Sequence, residues 1–159
     1  MTKAMYPGSF DPLHLGHLNI VEIASSIFDE VVVVTMQNPE KKSFLSLEAR
    51  EDLLKSSFSH LSNVSTANSS GLVVNAAVDL EATVIVKGLR STGDFEIEMQ
   101  MAQTNKTVAG VETIFIPSEP AHSHISSRFI REIATLGGDV SALVPESVAS
   151  LLIGRLNDE

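Results

Sequence analysis

The spacing of apolar positions changes several times along the chain, and each change predicts an element. Ala4 to Tyr6 is a short apolar run near the N-terminus. From Ile20 the apolar positions fall at 20, 23, 24, 27 and 28, the i, i+3, i+4 pattern of one helical face. This predicts a helix that opens at His17 and ends at Asp29-Glu30. Val31 to Thr35 is then continuously β-branched, as in a parallel strand buried on both faces. Strand, helix and strand make one βαβ unit.

The alternation continues. Ser46 is placed to cap a helix, with Glu48 in its first turn and Leu47, Leu53, Leu54 and Phe58 on its buried side. Val64-Ser65-Thr66 predicts a weak strand and Asn68 to Gly71 a turn. Leu72 to Leu80 is apolar at 72, 73, 76, 77 and 80, which predicts a helix. Thr83 to Lys87 is a second β-branched run. Asp94 is placed to cap a helix over residues 95–109, closed by Gly110. Its Met99, Met101, Ala102 and Val108 are expected in the core or against another copy. Thr113 to Ile116 is the last strand, stopped by Pro117. Phe129, Ile130, Ile133, Ala134 and Leu136 mark an amphipathic helix that Gly137-Gly138 ends. Pro145 suits the first position of a final helix to about residue 156. The pattern predicts one domain, residues 1–159, of α/β class: a five-stranded parallel sheet with helices on both faces.

Composition narrows the picture. A chain of 159 residues that is 43% hydrophobic can bury one sizeable core. No apolar run reaches the ~18 residues of a membrane span, and the start lacks the pattern of a signal peptide. With no Cys, disulfides and thiolate chemistry are excluded. A cytoplasmic protein with no membrane partner is expected. The net charge of −9 argues against a nucleic-acid partner. It also opposes anionic ligands unless cations cluster locally. Six of the 11 Lys and Arg residues (Lys41, Lys42, Lys87, Arg90, Arg128 and Arg131) fall in or beside the candidate site segments.

Those segments carry the chemistry. Tyr6 to His17 reads Tyr-Pro-Gly-Ser-Phe-Asp-Pro-Leu-His-Leu-Gly-His. Gly8 and Gly16 permit close backbone approach, and Pro7 and Pro12 stiffen the connection. His14 and His17, three apart where a helix begins, can face one side. A helix start with unpaired N–H groups and two imidazoles is a seat for phosphate. A zinc pair is disfavoured, because there is no Cys and no third ligand paired to this stretch. Lys41 and Lys42 lie after the second strand, at the sheet end where open α/β sheets bind ligands. Gly88 and Arg90 directly follow the next β-branched run, and arginine offers phosphate a bidentate fork. Glu98 is placed to accept from a ribose hydroxyl or to face water. Ser126 and Ser127 lie at another helix start.

The run from Pro7 to His17 resembles the His-x-Gly-His signature of the nucleotidyltransferase superfamily. Three further segments narrow the resemblance: Lys87-Gly88-Leu89-Arg90 with Asp94-Phe95-Glu96 and Met99 to Asn105, the stretch from His122 to Glu132, and Gly138-Asp139-Val140 with Val144-Pro145-Glu146. Together they resemble the bacterial phosphopantetheine adenylyltransferases over essentially the whole chain. That resemblance implies a Rossmann-like nucleotidyltransferase fold and adenylyl transfer from ATP to 4′-phosphopantetheine, giving dephospho-coenzyme A and pyrophosphate with Mg2+. By the same resemblance His17, with Lys41 and Arg90, would serve catalysis. Ser9, Phe10, His14, His17, Gly88, Leu89, Arg90 and Glu98 would bind ATP, as would the run His122, Ser123, His124, Ile125, Ser126, Ser127 and Arg128. Ser9, Lys41, Val73 and Lys87 would bind the acceptor. The family is typically a homohexamer restrained by coenzyme A. Arg128 stands where the family usually has a third Ser, His122 and His124 where it often has aromatics, and Lys87 where some members have Arg. Ile125-Ser126-Ser127 with Ile130-Arg131 also resembles nicotinate-mononucleotide adenylyltransferases. A catalytically silent nucleotide or coenzyme A sensor is the rival of a different class.

Overall fold

The computed structural model describes residues 1–157, so the last two residues of the expected domain lie outside the description. The elements run β1 (Lys3–Gly8), α1 (Leu15–Ile27), β2 (Glu30–Gln37), α2 (Leu47–Phe58), β3 (Val64–Ser70) and α3 (Val73–Asp79). They continue with β4 (Val84–Leu89), α4 (Thr92–Ala109), β5 (Glu112–Pro117), α5 (Ser127–Thr135) and α6 (Glu146–Asn157). The five strands form one parallel sheet in the order β3-β2-β1-β4-β5.

Alternation along the strands sends side chains into two cores. Ala4, Tyr6, Val31, Val33 and Val86 face one, where α1, α2, α5 and α6 pack with Ile20, Leu54, Ile130 and Val148. Met5, Val32, Val34 and Ile85 face the other, where α3 contributes Ala76 and Ala77. This explains why the middle of β2, Val31 to Val34, is apolar without alternation: it is covered on both sides.

β1 lies at the centre, where the chain switches from building toward β3 to building toward β5. It pairs with β2 over six residue pairs, Lys3 to Gly8. It meets β4 at only two, Ala4 with Val84 and Met5 with Ile85. Beyond those pairs β1 and β4 diverge. A gap at the carboxyl ends of strands on either side of a topological switch is where open α/β sheets seat ligands.

Several boundaries differ from the sequence expectation. α1 starts at Leu15 rather than His17, because His14 is its N-cap. Ser91, not Asp94, caps α4; its hydroxyl accepts from the Asp94 N–H. β3 extends through Asn68 and Ser70, which the turn-like composition conceals. α6 begins one residue after Pro145, whose carbonyl accepts its first N–H groups, from Val148 and Ala149. Phe129 and Leu136 are exposed, so α5 buries only Ile130 and Ala134. α4 buries no residue completely, which removes the core reading of its methionines; Met101 is 54% exposed. Among the described residues no helix is long and apolar enough to cross a membrane.

Candidate active site

The gap between β1 and β4 opens into a cleft of about 400 Å3. Its floor is the junction from β1 to α1. His14 Nδ1 accepts from the N–H groups of Gly16 at 3.0 Å and His17 at 3.4 Å. His17 Nδ1 accepts in return from the His14 N–H at 3.1 Å. This is a capping box made of two imidazoles instead of a hydroxyl and a carboxylate. The rings stack, with centroids 3.6 Å apart and 24° between planes. Gly16 makes room for them, since a Cβ there would lie 2.8 Å from His14 Cε1.

The capping fixes the tautomer. Each Nδ1 accepts an N–H, so it carries no proton, and the neutral ring holds its hydrogen on Nε2. Burial disfavours the charged form, with Arg90 and His122 adding to it, and the His14 pKa falls to about 3. Burial, then His14 and Arg90, hold His17 well below the ordinary histidine range. Both rings are therefore uncharged Nε2–H donors at neutral pH. Phe10 sets its edge against the His17 ring, centroids 5.0 Å apart. Its φ of 47° is strained for a residue with a side chain. Gly8 permits that pose, because a Cβ there would meet the Phe10 ring at 3.0 Å. Burial raises the pKa of Tyr6, behind Phe10, so its phenol stays protonated.

The opposite wall comes from β4 and α4, and it is ionic. Lys87 Nζ lies 3.4 Å from Glu98. Arg90 donates from Nε to Asp94 at 3.2 Å and from Nη1 to the Ile125 carbonyl at 2.9 Å. Asp94 and Glu98 stand one turn apart on α4, each on one of these cations. The start of α5 closes the third side with Ser126, Ser127, Arg128 and Arg131. Ser126 caps the helix through the Phe129 N–H, and the Ser127 hydroxyl donates to the Pro12 carbonyl at 2.8 Å.

Two further cavities adjoin this cleft. One, of about 740 Å3, shares Ser9, Asp11 and Arg131 with it and adds Lys41, Lys42, Arg50 and Arg155. The other, of about 410 Å3, shares Lys87 and Glu98 and runs between α3 and α4 past Val73, Ile97 and Met101. Eight of the 11 Lys and Arg residues line the first two cavities: Lys41, Lys42, Arg50, Lys87, Arg90, Arg128, Arg131 and Arg155. This clustering supplies the local positive field that an anionic chain needs to hold anions.

Most sequence-predicted site residues meet here. Ser9, Phe10, His14, His17, Lys87, Gly88, Arg90, Glu98, Ser126, Ser127 and Arg128 line the central cleft. Lys41 lines the basic cavity and Val73 the apolar groove. Leu89, His122, Ser123, His124 and Ile125 are not among the lining residues of the central cleft. Ile125 is 3% exposed and lends its carbonyl to Arg90, while the His122 carbonyl packs toward Gly16 at the start of α1. Sequence reasoning gave no binding or catalytic role to Tyr6, Asp11, Arg50, Asp94, Ser118 and Arg131, although Tyr6, Asp11 and Arg131 lie within the segments it singled out. Arg50 had a signal: it shares a helical face with Leu53 and Leu54, where a charge is unexpected.

Magnesium does not fit as an ion held by the protein alone. Among the described residues no group of three acidic or imidazole side chains is arranged to bind a metal. The carboxylates of the cleft are engaged: Asp11 by the N–H groups of Phe44 and Leu45, Asp94 by Arg90, and Glu98 by Lys87. Mg2+ commonly travels on nucleotide phosphates and keeps several waters, so any Mg2+ used at this cleft would have to arrive with a substrate.

Known structures share this architecture. One is described as a candidate nicotinate-nucleotide adenylyltransferase from Vibrio parahaemolyticus; it is similar over 96% of this chain and 99% of its own, with a TM-score of 0.67 and 20% identity. Another, a lipopolysaccharide core biosynthesis protein from Thermoplasma volcanium GSS1, covers 75% of this chain and 97% of its own, with a TM-score of 0.54 and 22% identity. Identities this low speak for the fold. The sequence itself carries the kinship further: residues 5–133 match the family described as cytidylyltransferase-like, and the chain belongs to that family of nucleotidyltransferases.

Proposed function

We propose that the protein transfers the adenylyl group of ATP to 4′-phosphopantetheine, releasing pyrophosphate and dephospho-coenzyme A. The observation that carries this acceptor is the groove between α3 and α4, which opens on the phosphate cleft at Lys87 and Glu98. A phosphate head with a long, partly apolar arm suits that shape. The arm's amides would find Asn105 and the buried Thr113 hydroxyl, which has no partner among the described residues.

The reaction needs no general base, because the second pKa of a phosphate monoester is about 6. An acceptor oxygen bonds to the α-phosphorus as the bond to the α–β bridging oxygen breaks. Pyrophosphate leaves with that electron pair. The protein's task is alignment and neutralisation of the charge that builds on the oxygens. His17 offers Nε2–H to the α-phosphate. Arg90 presents its free guanidinium N–H groups to the triphosphate, and Lys87 turns from Glu98 to the acceptor phosphate. Glu98, once released, accepts from a ribose hydroxyl. Lys41 approaches from the basic cavity, past Ser9.

Phe95, exposed on α4 outside that groove, would be covered by other copies in a homohexamer. Light scattering measures that assembly. Coenzyme A carries the same arm and would compete for the groove as a feedback inhibitor.

Pyrophosphate release with ATP and 4′-phosphopantetheine tests the reading. Release with nicotinate mononucleotide alone would move the acceptor to the class named for the Vibrio structure. ATP binding without turnover on either acceptor would favour a nucleotide sensor.

A further inference from the structure

We propose that Asp11 and Arg50 are positioning residues that brace the Ser9–Pro12 loop to the Lys41 loop and so set Lys41 at the phosphate. Asp11 is 8% exposed, and its two carboxylate oxygens are both spent across the gap between the loops. Oδ2 accepts from the Phe44 N–H at 2.7 Å and Oδ1 from the Leu45 N–H at 2.8 Å. Charged acceptors on backbone N–H groups make strong, short bonds. With both oxygens engaged, the carboxylate is neither a free base nor a free cation ligand.

Arg50 ties the same loops from below. It projects from α2, is 4% exposed, and donates from Nη1 to the Ser9 carbonyl at 3.0 Å and from Nη2 to the Ser43 hydroxyl at 3.3 Å. Among the described residues no carboxylate pairs with it, and its buried Nε–H has no partner. A buried guanidinium without a counter-charge is a poor way to stabilise a helix face, since an apolar residue there would be cheaper. What it gains is geometric: one planar fork holds a carbonyl of the motif loop and a hydroxyl two residues beyond Lys41.

The motif loop is held from a third side as well. Arg131 donates to the Asp11 carbonyl at 2.8 Å and Ser127 to the Pro12 carbonyl at 2.8 Å, both from α5. Three carbonyls of a four-residue loop are thus held by side chains from α2 and α5. That loop also carries Phe10, which bears on the His17 ring. Lys41 itself sits in a small turn closed by its N–H to the Asn38 carbonyl at 3.1 Å. Moving Asp11 or Arg50 would shift Lys41 relative to His17 without touching either side chain.

This inference rests on the proposed role of Lys41 at phosphate, and its test separates the two. The affinity for inorganic pyrophosphate, a probe that presupposes no acceptor, is measured by calorimetry for Arg50→Met, Lys41→Ala and the double variant, with melting temperatures alongside. kcat/KM with ATP and 4′-phosphopantetheine is read on the same set. Arg50→Met is expected to lower pyrophosphate affinity about tenfold, and to cost less than about twofold once Lys41 is absent, because residues that act as a unit are non-additive. A purely stabilising residue would cost the same in both backgrounds, and that result, or a silent Lys41→Ala, overturns the brace. Non-additive pyrophosphate binding without turnover on phosphopantetheine would retire the acceptor and keep the brace. Should Arg50→Met fail to fold, Arg50→Lys, which keeps the charge but loses the fork, is measured in its place.

Discussion

The two strand-to-helix junctions that wall the cleft are built on opposite principles. At β1–α1 the polar groups are neutral, buried and satisfied by one another: His14 and His17 cap each other's backbone and stack. At β4–α4 they are charged, partly exposed and paired: Lys87 with Glu98, and Arg90 with Asp94. The first junction is locked by mutual capping and, on the proposed reading, presents fixed donors where charge would develop. The second holds its cations in exchangeable pairs that an anion can enter. Transition-state stabilisation asks for the first kind of construction, and reversible capture of phosphate is served by the second.

The largest way to break the contrast is His17→Ala. Loss of one preorganised donor is expected to lower kcat about 10²–10³-fold, with a much smaller change in KM for ATP. An equal loss in KM would mean that the ring binds ground and transition states alike.

Acid is the second lever, and it acts on one junction only. The folded pKa values of His14 and His17 lie below the unfolded value near 6.5. The unfolded chain therefore binds more protons below that pH. The stability the two rings contribute is complete above about 6.5 and falls as the pH drops toward the folded values, about 3 for His14. The slope is at most about 1.4 kcal/mol per pH unit for each ring. Urea unfolding at pH 7 and 5.5 measures it, and replacing both histidines should flatten it.

Arg90→Lys addresses the other wall. Lysine keeps the charge but loses the fork that reaches both Asp94 and Ile125. The KM for ATP is expected to rise about tenfold, from the loss of one charge-assisted hydrogen bond. The smallest effect is expected from Glu98→Gln. Its pair with Lys87 is about a third exposed, so stability should change by less than about 1 kcal/mol. KM for the acceptor should fall by a few-fold as Lys87 is freed, while KM for ATP rises. No change in either KM would remove the exchange.

The parallel sheet was readable because β2 and β4 carry uninterrupted β-branched runs, Val31 to Thr35 and Val84 to Val86, and the helices repeat at 3.6 residues. What escaped detection had chemical causes. The start of α1 was misplaced because imidazole is outside the usual capping set of Ser, Thr, Asp and Asn. The second half of β3 hid behind Asn68, Ser69 and Ser70, polar residues that an edge strand tolerates because it has only one neighbour. The histidines, Lys87 and Arg90 stood out as chemistry at strand ends. Asp11 did not, because the N–H groups it holds lie 33 and 34 residues away; Arg50 showed only as a charge on an apolar helix face, with its Ser9 partner 41 residues away.

The early parting of β1 from β4 has one more consequence. The parting of the two strands is a feature of main-chain pairing, whatever side chains line the cleft above it. On the proposed assignment the acceptor's groove would be framed by side chains, Val73, Ile97 and Met101 among them. A lineage that keeps these strands would therefore drift in what it adenylylates far more readily than in what it takes the adenylyl group from.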